Sequence, residues 1–163
     1  MPILAPPAEL FPSLDGYTTW IGDIMGVPDD VMNSAVFDPY IGLSLNMASE
    51  IVNMYLDIAS ALLYTQAVYN LGADIIVNIA QDDPNLPPPD NTYWTTLRQS
   101  LGVNNFIPGF INAANDEDTS AALLVPLGLQ NLTLADLQNL KTPWGRAYLQ
   151  IAQSVGSMWG LTL

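Results

Sequence analysis

The clearest pattern in the chain is a helical repeat of apolar residues over about 60–80. The repeat consists of Leu63, Ala67, Leu71, Ile75 and Ile79 at four-residue intervals, and it is widened by Leu62, Val68 and Ile76. Spacing of this kind places side chains on one face of a helix. The pattern therefore predicts a helix over 60–80 whose apolar stripe lies at the centre of the core.

A second, polar stripe runs along the same segment. Gln66, Asn70, Asp74 and Asn78 are spaced four residues apart and share one helix face. Residues 58–80 are long enough to span a bilayer, but these four polar side chains argue against a membrane span. The preferred interpretation is an amphipathic helix packed inside a protein, and no membrane contact is expected.

Weaker patterns predict helices before the central one. Ser13 can cap a helix that ends near Gly26, and one of the two aspartates at 29–30 can cap a short turn after it. Residues 34–55 have an interrupted helical spacing, in which Pro39 disturbs the start of the segment and Gly42 weakens it. The apolar residues at 51–55 then indicate another short helix.

Two more helices are predicted in the second half of the chain. Asp90 or Asn91 can cap a helix over 92–101, and Gly102 can end it. Thr142 stands directly before Pro143, which is a favoured residue at the first position of a helix. This last helix is expected to stop at Gly156.

The remaining segments do not have a helical pattern. Residues 1–12 are proline-rich and predict an extended arm, and residues 106–126 predict either a long β-hairpin or a projecting loop. Residues 157–163 form an apolar end that we interpret as a docking tail. The predicted fold is all-α: a single domain over 1–163 with an irregular helical bundle as its body at 13–156.

Charge is sparse and one-sided in this chain. Arg98, Lys141 and Arg146 are the only basic residues against sixteen acids, which gives a net charge of −13 over 163 residues. Binding to nucleic acid or to an anionic membrane requires clustered Lys and Arg, so neither is expected. Only 12% of the residues are charged, about half the usual share. Such a surface suits a subunit of an assembly, and a lone acidic monomer is the alternative.

Residues that carry catalysis are almost absent. The chain has no cysteine and no histidine, and it lacks a phosphate-binding loop, a dinucleotide fingerprint and a nucleophile elbow. Its acidic clusters at 29–30, 82–83 and 116–118 are interpreted as solvated loop residues. We therefore expect no catalytic residue, no metal ligand and no cofactor site, and we predict that the protein is not an enzyme.

The aromatic residues suggest where the protein contacts partners. Trp20, Trp94 and Trp144 are expected to anchor the core. Trp159 lies near the end of the chain and is a better candidate for an interface. The predicted interface residues are Trp159, Leu161 and Leu163 in the tail and Asp116, Glu117 and Asp118, which are expected to face a lumen or a partner.

Two stretches resemble small structural proteins of tailed phages. They are NLTLADLQNLKTPWGRAYLQIAQS at 131–154, continued by WGLT at 159–162, and LLYTQAVYNLGAD at 62–74. In size and helical content the chain is also similar to phage head-to-tail adaptor (connector) proteins. That resemblance implies a ring, typically a dodecamer, in the virion neck. The ring would bind the portal protein on one side and tail or nozzle proteins on the other, and DNA would pass through it without specific binding.

Other functions stay open at the level of sequence. A tail-completion, tail-tube or capsid-decorating subunit would have the same composition but a different copy number in the particle. From another class, an acidic DNA mimic or host-factor-binding protein would also be strongly negative. Such a mimic should be monomeric and carry its acids in regular rows, whereas the acids of this chain are scattered.

Overall fold

The computed structural model describes residues 11–103, 110–111, 123–124 and 139–154, and this part of the chain is mostly helical. The predicted all-α class is thereby confirmed. The predicted arm at 1–12, apart from its last two residues, and the predicted tail at 157–163 lie outside the described residues. So does most of the 106–126 segment.

The chain enters the bundle through a capped helix. Helix α1 spans Leu14–Trp20, and the hydroxyl of Ser13 accepts a hydrogen bond from the backbone N–H of Gly16 at 3.0 Å. One π-helical turn, Ile21–Met25, continues it and ends at Gly26, whose φ of 70° suits a residue without Cβ. Helix α2 follows at Asp29–Met32. The predicted aspartate cap of α2 is wrong, because Pro28 occupies the capping position and no side chain bonds there.

Helix α3 covers the middle of the segment predicted at 34–55. It spans Asp38–Ile51, and Gly42 does not break it. Pro39, which was expected to disturb the start of the segment, lies in the first turn of α3, where a missing N–H removes no helical hydrogen bond. The short helix expected at 51–55 instead forms slightly later, as α4 at Tyr55–Ala59.

The central helix confirms the main prediction. Helix α5 spans Ala61–Ile79, and the hydroxyl of Ser60 caps it by accepting a hydrogen bond from the N–H of Leu63. It packs against α3, α4, α6 and the last helix, so it lies at the centre of the bundle. Its fully buried apolar residues include Ala67, Val68, Ile76 and Val77.

A loop aspartate sets the start of the next helix. A 3₁₀ turn at Asp90–Thr92 leads into α6, which spans Tyr93–Ser100. The carboxylate of Asp82 accepts hydrogen bonds from the backbone N–H groups of Trp94, at 2.7 Å, and of Thr95. The cap predicted at Asp90 or Asn91 is therefore wrong, since the residue that caps α6 comes from the preceding loop.

The last described helix, α7, spans Pro143–Ser154. Thr142 caps it as predicted: its hydroxyl accepts a hydrogen bond from the N–H of Gly145 at 2.9 Å. Two short strands, β1 at Phe110–Ile111 and β2 at Leu123–Leu124, pair antiparallel with Phe110 opposite Leu124. Pairing of this kind fits the hairpin alternative for 106–126.

Aromatic side chains fill both sides of the core around α5. Tyr17 and Tyr69 lie 5.3 Å apart between ring centroids, and Trp20 lies 6.0 Å from Tyr69. On the other side, Phe37 stacks on Trp94 at 4.8 Å. Trp20 and Trp94 are buried and Trp144 is partly buried against the core, so the core roles predicted for these three residues are confirmed.

Candidate interaction surface

Several helix ends meet at one end of the bundle. The hydroxyl of Tyr17 bonds to Ser44 of α3 at 3.1 Å, and a Cβ added to Gly72 of α5 would lie 2.6 Å from the same hydroxyl. The middles of α3 and α5 therefore lie next to each other. Since only α4 and short turns connect them, the last turn of α3, α4 and the first turn of α5 lie together.

The last turn of α7 reaches the same end. Thr142, before α7, contacts Asp74 in the second half of α5, whereas Ser154 at the end of α7 and Leu63 at the start of α5 line one groove. Helices α5 and α7 are therefore antiparallel. Residue 154, after which the chain continues to its apolar end, lies beside the first turn of α5.

Large apolar side chains are exposed along this end of the molecule. Ile58 is 80% exposed and Met54 is 72% exposed, which is far more than packing in a monomer requires. We call the set the 43–63 apolar surface; its members are Leu43, Met47, Ile51, Met54, Tyr55, Ile58, Leu62 and Leu63. Exposed apolar patches of this kind are typical of protein–protein interaction sites.

Part of this surface lies in a different environment from the one its sequence pattern predicts. Leu62 and Leu63 were predicted in the core stripe of the central helix, but both are exposed in its first turn. The sequence of α3 nevertheless contains a pattern that indicates this surface. Leu43, Met47 and Ile51 form an apolar stripe at four-residue spacing, beside the stripe of buried residues Ile41, Leu45 and Ala48. A helix that is apolar on two faces buries one of them elsewhere.

The basic side chains Arg98 and Arg146 lie away from this surface, whereas the acids Glu50 and Asp57 lie within its 43–63 range. Arg98 donates hydrogen bonds to the carbonyl oxygens of Val77 and Ala80, at the opposite end of α5. Arg146 donates to the carbonyl oxygen of Leu140. Asp57 lies within the surface, and its Oδ1 is buried without a hydrogen-bond partner in the described part of the chain. A partner that covers this surface would therefore bring apolar side chains and a hydrogen-bond donor.

Three of the four residues of the polar stripe of α5, Gln66, Asn70 and Asp74, are buried, whereas Asn78 is exposed. The side-chain amide of Asn70 donates to the carbonyl oxygen of Gln66 at 2.8 Å, and Asn78 donates to that of Asp74 at 2.7 Å. Gln66 differs from the other three stripe residues: it is 4% exposed, and both polar atoms of its amide lack a partner within the described residues. A buried amide without hydrogen bonds lowers the free energy of unfolding by about 1–3 kcal/mol.

Asp74 joins α5 to α7. The hydroxyl of Thr142 donates a hydrogen bond to its carboxylate while accepting one from Gly145, so a single side chain links the aspartate to the start of α7. Burial raises the pKa of Asp74 to about 6, although the Thr142 hydrogen bond and the charge of Lys141 act to lower it. We therefore predict that the stability of the α5–α7 contact depends on pH.

The groove between α5 and α7 has a volume of about 250 Å³. Its lining includes Leu63, Gln66, Asn70, Ala147, Ile151 and Ser154, and it contains no charged side chain. Pockets for drug-sized molecules typically have volumes of roughly 300–1,000 Å³. This groove is smaller, and it fits one or two side chains of a polypeptide better than a cofactor.

The acids of the 82–83 pair are partly exposed loop residues, in line with the prediction, and both also have structural roles. Asp82 caps α6, and Asp83 accepts hydrogen bonds from the hydroxyl of Ser34 at 2.6 Å and from the N–H of Asn85. These bonds, led by that from Ser34, lower the pKa of Asp83. Across the described residues, no group of three or more acidic side chains could hold a metal ion.

The interface residues predicted from sequence cannot be placed on this framework. Trp159, Leu161 and Leu163 and the acids Asp116, Glu117 and Asp118 all lie outside the described residues. Among the helices that are described, none is long and apolar enough to cross a membrane. No family model, curated protein or solved structure matches the chain.

Proposed function

We propose that this protein is a structural virion protein that acts as a head-to-tail adaptor. Copies of the chain assemble into a ring in the neck, join the portal to the tail and extend the DNA channel. The observation that carries the proposal is the 43–63 apolar surface. This surface needs a protein partner, and a neighbouring copy supplies one in a ring.

The energetics favour association through this surface. Complete burial of one exposed Met or Ile side chain contributes about 1.5–3 kcal/mol. Met54 and Ile58 are among the most exposed members of the surface, and six further large side chains surround them. Covering the whole surface therefore contributes free energy of the same order as the loss of freedom on association, about 4–15 kcal/mol.

A ring requires the two contacting patches of each subunit to differ, since head-to-tail contacts close into a ring. The 43–63 apolar surface supplies one patch. The second patch is assigned to the C-terminal tail, with Trp159, Leu161 and Leu163 as contacts to a neighbour or to the portal. The acids Asp116, Glu117 and Asp118 are assigned to the lumen or to a partner.

The charge of the chain suits a channel for DNA. A net charge of −13 per subunit, multiplied around a ring, produces a strongly negative lumen or rim. Such a field repels phosphates, so the genome passes without binding. The protein performs no catalysis in this proposal, and it needs no cofactor or metal.

Mass measurements test the proposal directly. Native mass spectrometry of the purified chain, alone and after mixing with the portal ring of the same virus, should give a ring-sized oligomer or a portal complex with one defined copy number. A chain lacking residues 157–163 should remain folded by circular dichroism but fail to dock. Normal docking by this truncated chain would contradict the assignment of the tail.

The same measurements separate the alternatives. A capsid-decorating subunit would be present in hundreds of copies per particle, whereas a neck ring contains about a dozen. The copy number of a tail-tube subunit would lie between these two values. A DNA mimic would stay monomeric and bind a basic protein tightly. A monomer that binds neither itself nor the portal would refute the adaptor proposal.

A further inference from the structure

The groove between α5 and α7 contains an unused hydrogen-bonding group. Gln66 lines the groove, is 4% exposed, and has neither its amide oxygen nor its amide nitrogen paired in the described part of the chain. A primary amide offers one acceptor and two donors. The backbone of an extended peptide offers the complementary N–H and C=O, so it is the natural partner of this side chain.

The rest of the lining selects for an uncharged apolar segment. Leu63, Ala147 and Ile151 supply apolar walls, and no charged side chain is present. Residues 155–163 carry no charged side chain, and neither do residues 1–8, 99–115 and 119–135, each of which contains at least one proline. The first of these segments has no proline, whereas residues 1–8 contain three prolines, which lack the N–H that an amide oxygen needs.

The pattern of the C-terminal segment matches an extended strand. Trp159, Leu161 and Leu163 alternate with Gly160 and Thr162, which places the three large side chains on one face when the chain is extended. An extended segment makes no internal hydrogen bonds, so its peptide groups are free to pair with Gln66. The groove, at about 250 Å³, has room for one large side chain beside the backbone.

We propose that the α5–α7 groove binds residues 157–163 of a second copy of this chain, with Gln66 hydrogen-bonded to the backbone of the incoming segment. The polar atoms of the Gln66 amide are buried in the structure, so this proposal requires the side chain to rotate to another staggered conformer when the segment binds. The groove adjoins the 43–63 apolar surface through Leu63, so the tail and the surface form one continuous contact. The inference rests on the proposed self-assembly and names its docking site.

The direction of the chain favours a neighbouring copy over the same copy. Helix α7 itself forms one wall of the groove and runs to Ser154 at the end near Leu63. To enter its own groove, the chain would have to turn back along α7 after Ser154. A tail that arrives from another subunit needs no reversal.

Disulfide trapping tests the proposal in the full chain. The protein has no cysteine, so an introduced pair reports one contact. Gln150, exposed on the groove rim, is changed to Cys in a chain with one tag, and Thr162 is changed to Cys in a chain with a second tag. Mixing and mild oxidation should give a disulfide between the two tags. In the control, Gln99→Cys, at an exposed position on α6, replaces Gln150→Cys and should give no disulfide between the tags.

Gln66→Met distinguishes a binding amide from a merely buried one. The substitution keeps the length of the side chain and removes an unpaired buried amide, so the melting temperature should stay equal or rise. The yield of the disulfide between tags should nevertheless fall about tenfold, because the hydrogen bonds to the tail are lost. Gln99→Met makes the same chemical change outside the groove and should leave the yield unchanged.

Each other result overturns the inference. A chain with both cysteines that closes its disulfide internally at high dilution would show that the tail binds its own groove. If Gln66→Met does not lower the yield of the disulfide between tags, Gln66 takes no part in the contact and the inference is wrong. An oligomer that gives no disulfide between tags would refute the docking site and leave the adaptor proposal standing, whereas a protein that never oligomerises would refute both.

Discussion

Replacing Asp74 by Asn should remove a pH-dependent part of the stability. Asp74 is 3% exposed, and its pKa is raised from 3.8 to about 6, chiefly by burial. The native state therefore holds this proton more tightly than the unfolded chain. Between pH 3.8 and about pH 6 the free energy of unfolding contributed by Asp74 falls as the pH rises.

The size of this effect follows from the pKa values. The pKa of Asp74 rises from 3.8 to about 6 on folding, and each pKa unit is worth about 1.36 kcal/mol. The free energy of unfolding contributed by Asp74 therefore falls by about 3 kcal/mol between acid and neutral pH. About 1.3 kcal/mol of this change occurs between pH 5 and pH 7. Measurements in this range stay above the isoelectric point of the protein, which is near 4.1. Asparagine keeps an oxygen that accepts the hydrogen bond of Thr142, so the helix junction is preserved.

Urea unfolding of the parent and of Asp74→Asn at pH 5, 6 and 7 measures the difference. Relative to the parent, the variant should gain roughly 1 kcal/mol of stability from pH 5 to pH 7. Asp83→Asn is the control: the folded pKa of Asp83 is lowered from 3.8, so its contribution is fully present from pH 5 to pH 7 and the difference from the parent should not change over this range. A parent–Asp74→Asn difference that does not change with pH would refute the reasoning.

Two further substitutions test the packing and capping. Gly72→Ala should destabilise the fold by about 1–3 kcal/mol in a thermal melt, because its Cβ would lie 2.6 Å from the hydroxyl of buried Tyr17. Gly42→Ala is the control: there is open space around its Cβ, so the same measurement should show a neutral or stabilising effect. Asp82→Ala should cost about 1 kcal/mol in urea unfolding through loss of the α6 cap, whereas an equal loss in Asp90→Ala would contradict that assignment.

The sequence was sufficient for the elements that depend on local signals. Ser13 and Thr142 were predicted as caps and act as caps, since each stands directly before its helix and bonds to a backbone N–H three residues on. The central helix followed from its four-residue apolar repeat. Signals of this kind act within one or two turns, so they can be found without knowing the tertiary structure.

The predictions that failed depended on distant contacts. The cap of α6 comes from Asp82, twelve residues before Trp94, so no local pattern could indicate it. The exposure of Leu62 and Leu63 depends on which helices cover the first turn of α5, and the four-residue repeat does not contain that information. The unpaired amide of Gln66 likewise appears only once α7 is packed against α5.

The central claim is that copies of this chain associate through the 43–63 apolar surface, and sedimentation equilibrium of the full chain tests it most directly. The parent should form an oligomer of defined mass, and Ile58→Glu, at the most exposed residue of that surface, should shift it toward monomer. Gln99→Glu adds the same charge at an exposed position on α6 and should leave the mass unchanged. A parent that is monomeric at high concentration, or an oligomer that Ile58→Glu does not weaken, would contradict the claim.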